Sequence, residues 1–196
     1  MESQRDFIDR ILPYRLVAVE VLELALRYRR EWSAPVPMQV FFDGKLSIEG
    51  LSTGFINPAI ETGIIHCRAL LEFIGLAIDP KDHHRLTQRT SRKRDDPSIE
   101  QFSNAAGPLP LVTPAQAVAP YRGPADEAER GLAQVIHVVN KGLAHSTIGL
   151  IEDPDDFRLV DIASRGIRAL LINHFYVPLG LQPPAERITA RPRGSS

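Results

Sequence analysis

The segment Asn140-Lys-Gly-Leu-Ala-His145 places a histidine five residues after an asparagine, at the end of a strongly amphipathic helical pattern. Histidine is the side chain best suited to move protons near neutral pH, and an asparagine amide can hold a phosphate or orient the imidazole. The pairing points to an RNA-directed site with His145 and Asn140 as candidate catalytic residues. In a chain without that chemistry, the same two residues would be hydrogen bonders that finish a helix.

Four further residues are candidate accessories. His66 and Arg68 lie on the border of an apolar helical face, and Arg130 and His137, seven apart, share one face of a later helix. His174 falls one turn beyond Leu170 and suits a hydrogen-bonded core position. A nucleic-acid contact is suggested by the run Lys81-Asp-His-His-Arg-Leu-Thr-Gln-Arg-Thr-Ser-Arg-Lys-Arg94, with six basic residues and one acid. Within it, Arg92, Lys93 and Arg94 are the candidate phosphate contacts, although no aromatic residue interleaves them to stack on bases. The alternative is a solvated loop.

Several chemistries lack their motifs. There is no Glu-x-x-His pair of a di-metal bundle, no Cys-x-x-Cys, no His-Glu-x-x-His and no glycine-rich phosphate loop. No cofactor and no metal are therefore expected. A site assembled from His66, His145, Asp95 and Asp96 has no support from spacing.

Composition sets the frame in which these residues must be held. With 196 residues, 43% of them hydrophobic, the chain can bury a substantial core, and a single domain over residues 1–182 is expected. A formal net charge of -1 gives no whole-molecule field for nucleic acid, so any such contact must be local. The single cysteine, Cys67, rules out an intrachain disulfide framework and fits a cytoplasmic location and a small buried hydrophobe. The start MESQRDF has no secretion pattern, and no apolar stretch reaches membrane-spanning length.

Sixteen prolines leave four long proline-free windows, at residues 14 to 34, 59 to 79, 125 to 153 and 155 to 177. Helices are expected there. The first shows Val17, Val21, Leu24 and Tyr28 at helical spacing opposite Glu23, Arg27 and Glu31. The second, opened by Asn57-Pro58, carries Ile60, Ile64, Cys67, Leu71, Ile74 and Ile78 on one face, with Ile65, Leu70, Phe73 and Leu76 widening it. The third turns Leu132, Val135, Ile136, Val139 and Leu143 inward. The fourth, opened by Asp153-Pro154, turns in Leu159, Ala163, Ile167, Leu170 and Val177, with Asp161 and Arg165 paired on its outer side.

The fold class read from these stripes is all-α: an antiparallel four-helix bundle. Asp43-Gly44 between short apolar runs adds a small hairpin at about residues 39 to 49. Residues 80 to 124, with seven prolines, form a long connection between helices two and three, with short helices opened by Asp96-Pro97 and by Thr113-Pro114-Ala115-Gln116. Residues 183–196 read as a disordered tail.

Three pieces in order, Ile65-His-Cys-Arg-Ala-Leu-Leu-Glu-Phe73, Asp95-Asp96 and Val139-Asn-Lys-Gly-Leu-Ala-His-Ser-Thr147, resemble a group of bacterial proteins with an HEPN-like helical fold. The resemblance implies an RNA-processing or defence role and metal-independent RNA cleavage, with His145 as acid and base. It also implies a homodimer whose two copies bring their His145 side chains to a shared groove. Active members carry an arginine four to six residues before the histidine. Here Asn140 stands in that region, and at Arg130 the neighbour is Gly131. That departure favours a second expectation, a non-enzymatic helical module with a degenerate motif that binds a protein partner or nucleic acid.

Overall fold

The computed structural model describes residues 2–91, 96–140 and 154–188. The chain enters through α1 (Glu2–Asp6), a π-helical turn (Phe7–Ile11) and α2 (Leu12–Glu31), which follow one another without a break. Pro13 has no N–H to give, and it falls where the hydrogen bonding passes from the π to the α pattern. The buried face of α2 is Leu12, Leu16, Val19, Leu22, Ala25 and Leu26. Val17, Val21, Leu24 and Tyr28, the stripe expected from sequence, are only half-buried. Apolar residues cover so much of this helix that periodicity alone selects either stripe.

A hairpin follows, β1 (Pro37–Phe42) paired antiparallel with β2 (Lys45–Leu51), at the position expected from Asp43-Gly44. Both turn residues have positive φ, 50° and 71°, as a two-residue turn between twisted strands requires. Ser52 ties the hairpin base to the next helix. Its Oγ accepts from the Val36 N–H at 3.1 Å, and its own N–H donates to the Val36 carbonyl at 2.8 Å.

Helix α3 (Thr53–Phe73) starts before Asn57-Pro58 and takes Pro58 into its early turns, which corrects the expected start. Ile60, Ile64, Cys67, Leu70, Leu71 and Phe73 are buried as the pattern implies, whereas Ile65 is 43% exposed. Arg15 meets His66 and Leu22 meets Gly63, so α2 and α3 run in opposite directions. A Cβ on Gly63 would lie 2.4 Å from Leu22 Cβ, which shows how closely the two helices approach.

The all-α reading is overturned after α3. The helix stops at Phe73, Gly75 turns the chain at φ +96°, and Leu76 and Ile78 enter a strand instead of continuing the helical face. That strand, β3 (Leu76–Ile78), pairs with β4 (Leu86–Gln88), and β5 (Ser103–Asn104) pairs with β6 (Gly107–Pro108). With the first hairpin, the described residues hold three two-stranded antiparallel sheets, and the fold is mixed α and β. Strands of two or three residues are too short to show alternation, and Leu76-Ala-Ile78 is masked by the apolar helix before it. The two short helical turns of this connection do form, at Ile99–Gln101 and in α4 (Pro114–Val118). Their capping boxes are Ser98 with Gln101 and Thr113 with Gln116, so Ser98 replaces Asp96 as the first cap.

Helices α5 (Ala125–Val138) and α6 (Pro154–Leu171) pair in opposite directions, with Gln134 donating to Asp156 at 2.7 Å. A π-helical turn (Ile172–Tyr176) continues α6 and leaves Val177 63% exposed, not on the inner face. Phe7, Phe73, Phe102 and Phe175 form an aromatic cluster with ring centroids 4.9 to 6.0 Å apart. Residues 183 to 188, within the segment that composition marks as a tail, lie against α2 and α6. The Arg187 and Ile188 N–H groups donate to Glu20, and Arg168 donates to the Pro184 carbonyl. Among the described residues no helix is long and apolar enough to cross a membrane.

Candidate nucleic-acid interface

The end of α2 reads Leu26-Arg-Tyr-Arg-Arg30, and burial of Leu22, Ala25 and Leu26 leaves Arg29 and Arg30 outside the core. Basic residues in a last helical turn also complement the helix dipole. Helix α6 runs antiparallel beside it: Glu20 meets Arg168, and ten residues later Arg30 meets Asp161. Its residues Arg158, Asp161 and Arg165, at helical spacing, face the end of α2.

Between the two helices lies a groove of about 480 Å³ lined by Arg29, Arg30, Arg158 and Arg165, with Asp161, Leu26 and Phe157. Asp161 is 9% exposed and accepts from Arg30 at 2.7 Å and from Arg165. One carboxylate thus holds two guanidinium groups and leaves a positive charge over. Arg158 is shared between Glu127 and Asp155, and the hydrogen bond from Arg158 holds the Asp155 carboxyl below its usual range. Arg29 is different. Its guanidinium carbon sits 3.9 Å above the Phe157 ring centroid, and no carboxylate pairs with it among the described residues. The groove therefore offers fixed planar donors with net positive charge, the arrangement that binds phosphate.

Arg165 continues the groove into a cavity of about 370 Å³ bordered by Tyr121 and Arg122, and Arg29 continues it into one of about 320 Å³ bordered by Tyr28 and Trp32. Tyr121 is fixed by donating its hydroxyl to the Ala163 carbonyl at 2.7 Å. A half-buried carboxyl, Glu23, lies nearby on α2, with its pKa raised by burial and partly restored by Arg165.

The residues chosen from sequence are scattered in the structure. Asn140 is exposed at the end of α5, while His145, Arg92, Lys93, Arg94 and Asp95 lie outside the described residues. His66 is half-buried on α3. Arg15 donates to its Nδ1 at 3.2 Å, Tyr14 meets the ring edge-on, and burial, aided by the Arg15 charge, lowers its pKa. Because a guanidinium can only donate, Nδ1 is the unprotonated nitrogen of a neutral ring. Arg68 pairs with Glu72 one turn on.

Arg130 and His137, grouped in the sequence, part company. Arg130 reaches Asp155 at 3.7 Å on α6, and His137 packs on His83 with ring centroids 4.9 Å apart. Asp96 pairs with Arg89, and no group of three metal-binding side chains occurs among the described residues. His174 is half-buried, its pKa lowered by burial.

Comparison with family models, curated proteins and solved structures finds no match. The sequence patterns do not single out Arg29, Arg30, Phe157 or Arg158, and they mark Arg165 only as the partner of Asp161. The available signal was the tandem Arg29-Arg30 at a helix end and the Arg158, Asp161, Arg165 spacing. Their convergence depends on α2 packing beside α6, which neither segment encodes alone.

Proposed function

We propose that this protein binds RNA along the α2–α6 groove and cleaves it without metal through His145. The observation that supports the reading is Arg29, stacked on Phe157 without a carboxylate partner among the described residues and flanked by three more arginines. Phosphates bind such planar donors, and the base or ribose can lie on the adjacent ring. His145 belongs to the segment 141 to 153, which joins α5 to α6, the helix that carries Arg158 and Arg165. His145 takes the proton from a ribose 2'-hydroxyl as that oxygen attacks the adjacent phosphorus, and the 5'-oxygen leaves with a proton returned to it. The products are a 2',3'-cyclic phosphate and a 5'-hydroxyl. Asn140 contacts the phosphate or orients the imidazole.

A second reading, binding without cleavage, is favoured by Arg130, which is engaged with Asp155 on α6. One experiment separates the two. The protein is incubated with mixed RNA in chelator, binding is followed by anisotropy, and product ends are analysed. Cyclic phosphate ends that vanish in His145→Ala, with binding retained, support cleavage. Binding without products supports the module. Unchanged binding in Arg29→Glu removes the groove from either reading.

A further inference from the structure

Arg29 lines two spaces at once, the arginine groove and the neighbouring cavity of about 320 Å³ whose walls include Tyr28, Trp32, Ile56 and Asn57. Tyr28 and Trp32 are stacked, with centroids 4.7 Å apart and planes 7° from parallel. The cavity therefore has a stacked aromatic pair, the buried Ile56 and the exposed Asn57 in its lining.

We infer that this cavity is a nucleobase subsite and that the groove takes single-stranded RNA, an inference that rests on reading the groove as an RNA site. A strand whose phosphates lie on Arg29, Arg30 and Arg165 turns one unpaired base past Arg29 against the Tyr28–Trp32 wall. The Asn57 amide, both donor and acceptor, meets its polar edge. Planar aromatic side chains beside a cationic track are the combination that binds single strands, because every base has a face to stack. A duplex cannot use it, since its bases are already paired and stacked. A free phosphate or a polyanion without bases fills the groove and leaves the cavity empty.

Trp32 is the only tryptophan in the chain, so its emission reports on this cavity alone. The full-length protein is titrated with a fluorescently labelled single-stranded oligoribonucleotide, with an RNA duplex of equal length and with inorganic phosphate. Tryptophan emission and label anisotropy are read in parallel. The single strand should quench Trp32 as it binds, while the duplex and phosphate leave the emission unchanged. Trp32→Leu should weaken single-strand binding about tenfold without altering its salt dependence.

Trp32 is half-buried against Tyr28, so Asn57→Asp provides a second test at an exposed position. It should weaken the single strand, with the circular dichroism spectrum unchanged. Single-strand binding with unquenched Trp32 and full affinity in Asn57→Asp would overturn the base subsite while the groove stands. Failure to bind any RNA would overturn the groove and the subsite together.

Discussion

Helix α2 makes two seams, and they are built from opposite materials. Toward α3 it presents Leu22, which is 0% exposed and lies so close to Gly63 that no Cβ has room there. Toward α6 the contact beyond the core is polar: Glu20 with Arg168 at 3.1 Å, Arg30 with Asp161 at 2.7 Å, and Arg29 on Phe157. Apolar packing leaves no void large enough for a ligand, because its energy comes from contact. Charged pairs contribute less to stability, but they can span a gap and keep donors aimed into it. One seam positions the helix, and the other leaves a groove open beside it.

Four measurements bear on this contrast. The largest effect is expected in the apolar interior: Leu71, 0% exposed on α3, should cost about 2 to 5 kcal/mol on substitution by alanine, read as a lower urea midpoint with an unchanged slope. Gly63→Ala comes next. The added Cβ would meet Leu22 Cβ at 2.4 Å and the Ala18 carbonyl at 3.1 Å. Helix propensity favours alanine by roughly 1 kcal/mol, but forcing the seam apart costs about 1 to 3 kcal/mol, so net destabilisation is expected in the same assay. A stabilised Gly63→Ala protein would show that the α2–α3 seam is looser than its geometry implies.

The polar seam should behave in the reverse sense, yielding little stability and much binding. Replacing Arg29 and Arg165 by alanine should leave the melting temperature nearly unchanged. The slope of log binding constant against log salt for single-stranded RNA should become shallower by about 0.7 for each phosphate that is no longer neutralised. An unaltered slope would assign both arginines to folding alone.

The smallest effect belongs to Glu23. Its pKa is raised in the folded state, chiefly by burial, so folding favours the protonated form and the charged form weakens the native state at neutral pH. Stability attributable to this group rises as the pH falls through its folded pKa and is lost above it. Glu23→Gln should therefore melt slightly higher at neutral pH, and its advantage should shrink on acidification. A constant difference across the titration would point to another cause.

The helical windows were legible because proline is excluded from most helix interiors and apolar residues recur at helical spacing. That spacing puts Cys67, Leu71 and Ile64 inside, and all are 0% exposed. The same rule misplaced the start of α3, where Pro58 is tolerated inside the early turns. It also ran the α3 stripe through Ile74 to Ile78, because nothing in an apolar run marks where Gly75 will turn it. Strands as short as β5 and β6 have no periodicity to detect.

The arginine groove was hidden for a different reason. Arg158 and Arg165 read as the solvated face of one helix until α2 supplies Arg29 and Arg30 from more than a hundred residues away. Asp161 illustrates the cost of reading faces separately. Its pairing with Arg165 was visible at i, i+4, but its near burial was not, because the burial comes from the neighbouring helix.

The lone thiol of Cys67 offers a clock for the opening of this molecule. It is fully enclosed, and burial pushes its pKa up, so a thiol reagent in solution meets neither an accessible sulfur nor a thiolate. Labelling must wait until α3 parts from its neighbours. With no other cysteine in the chain to blur the signal, the modification rate measures how often the interior breathes. Ligand held across α2 and α6 should lengthen that interval if the interior opens by parting those helices. Fraying at the β1–β2 hairpin, well away from the sulfur in the chain, should leave it untouched.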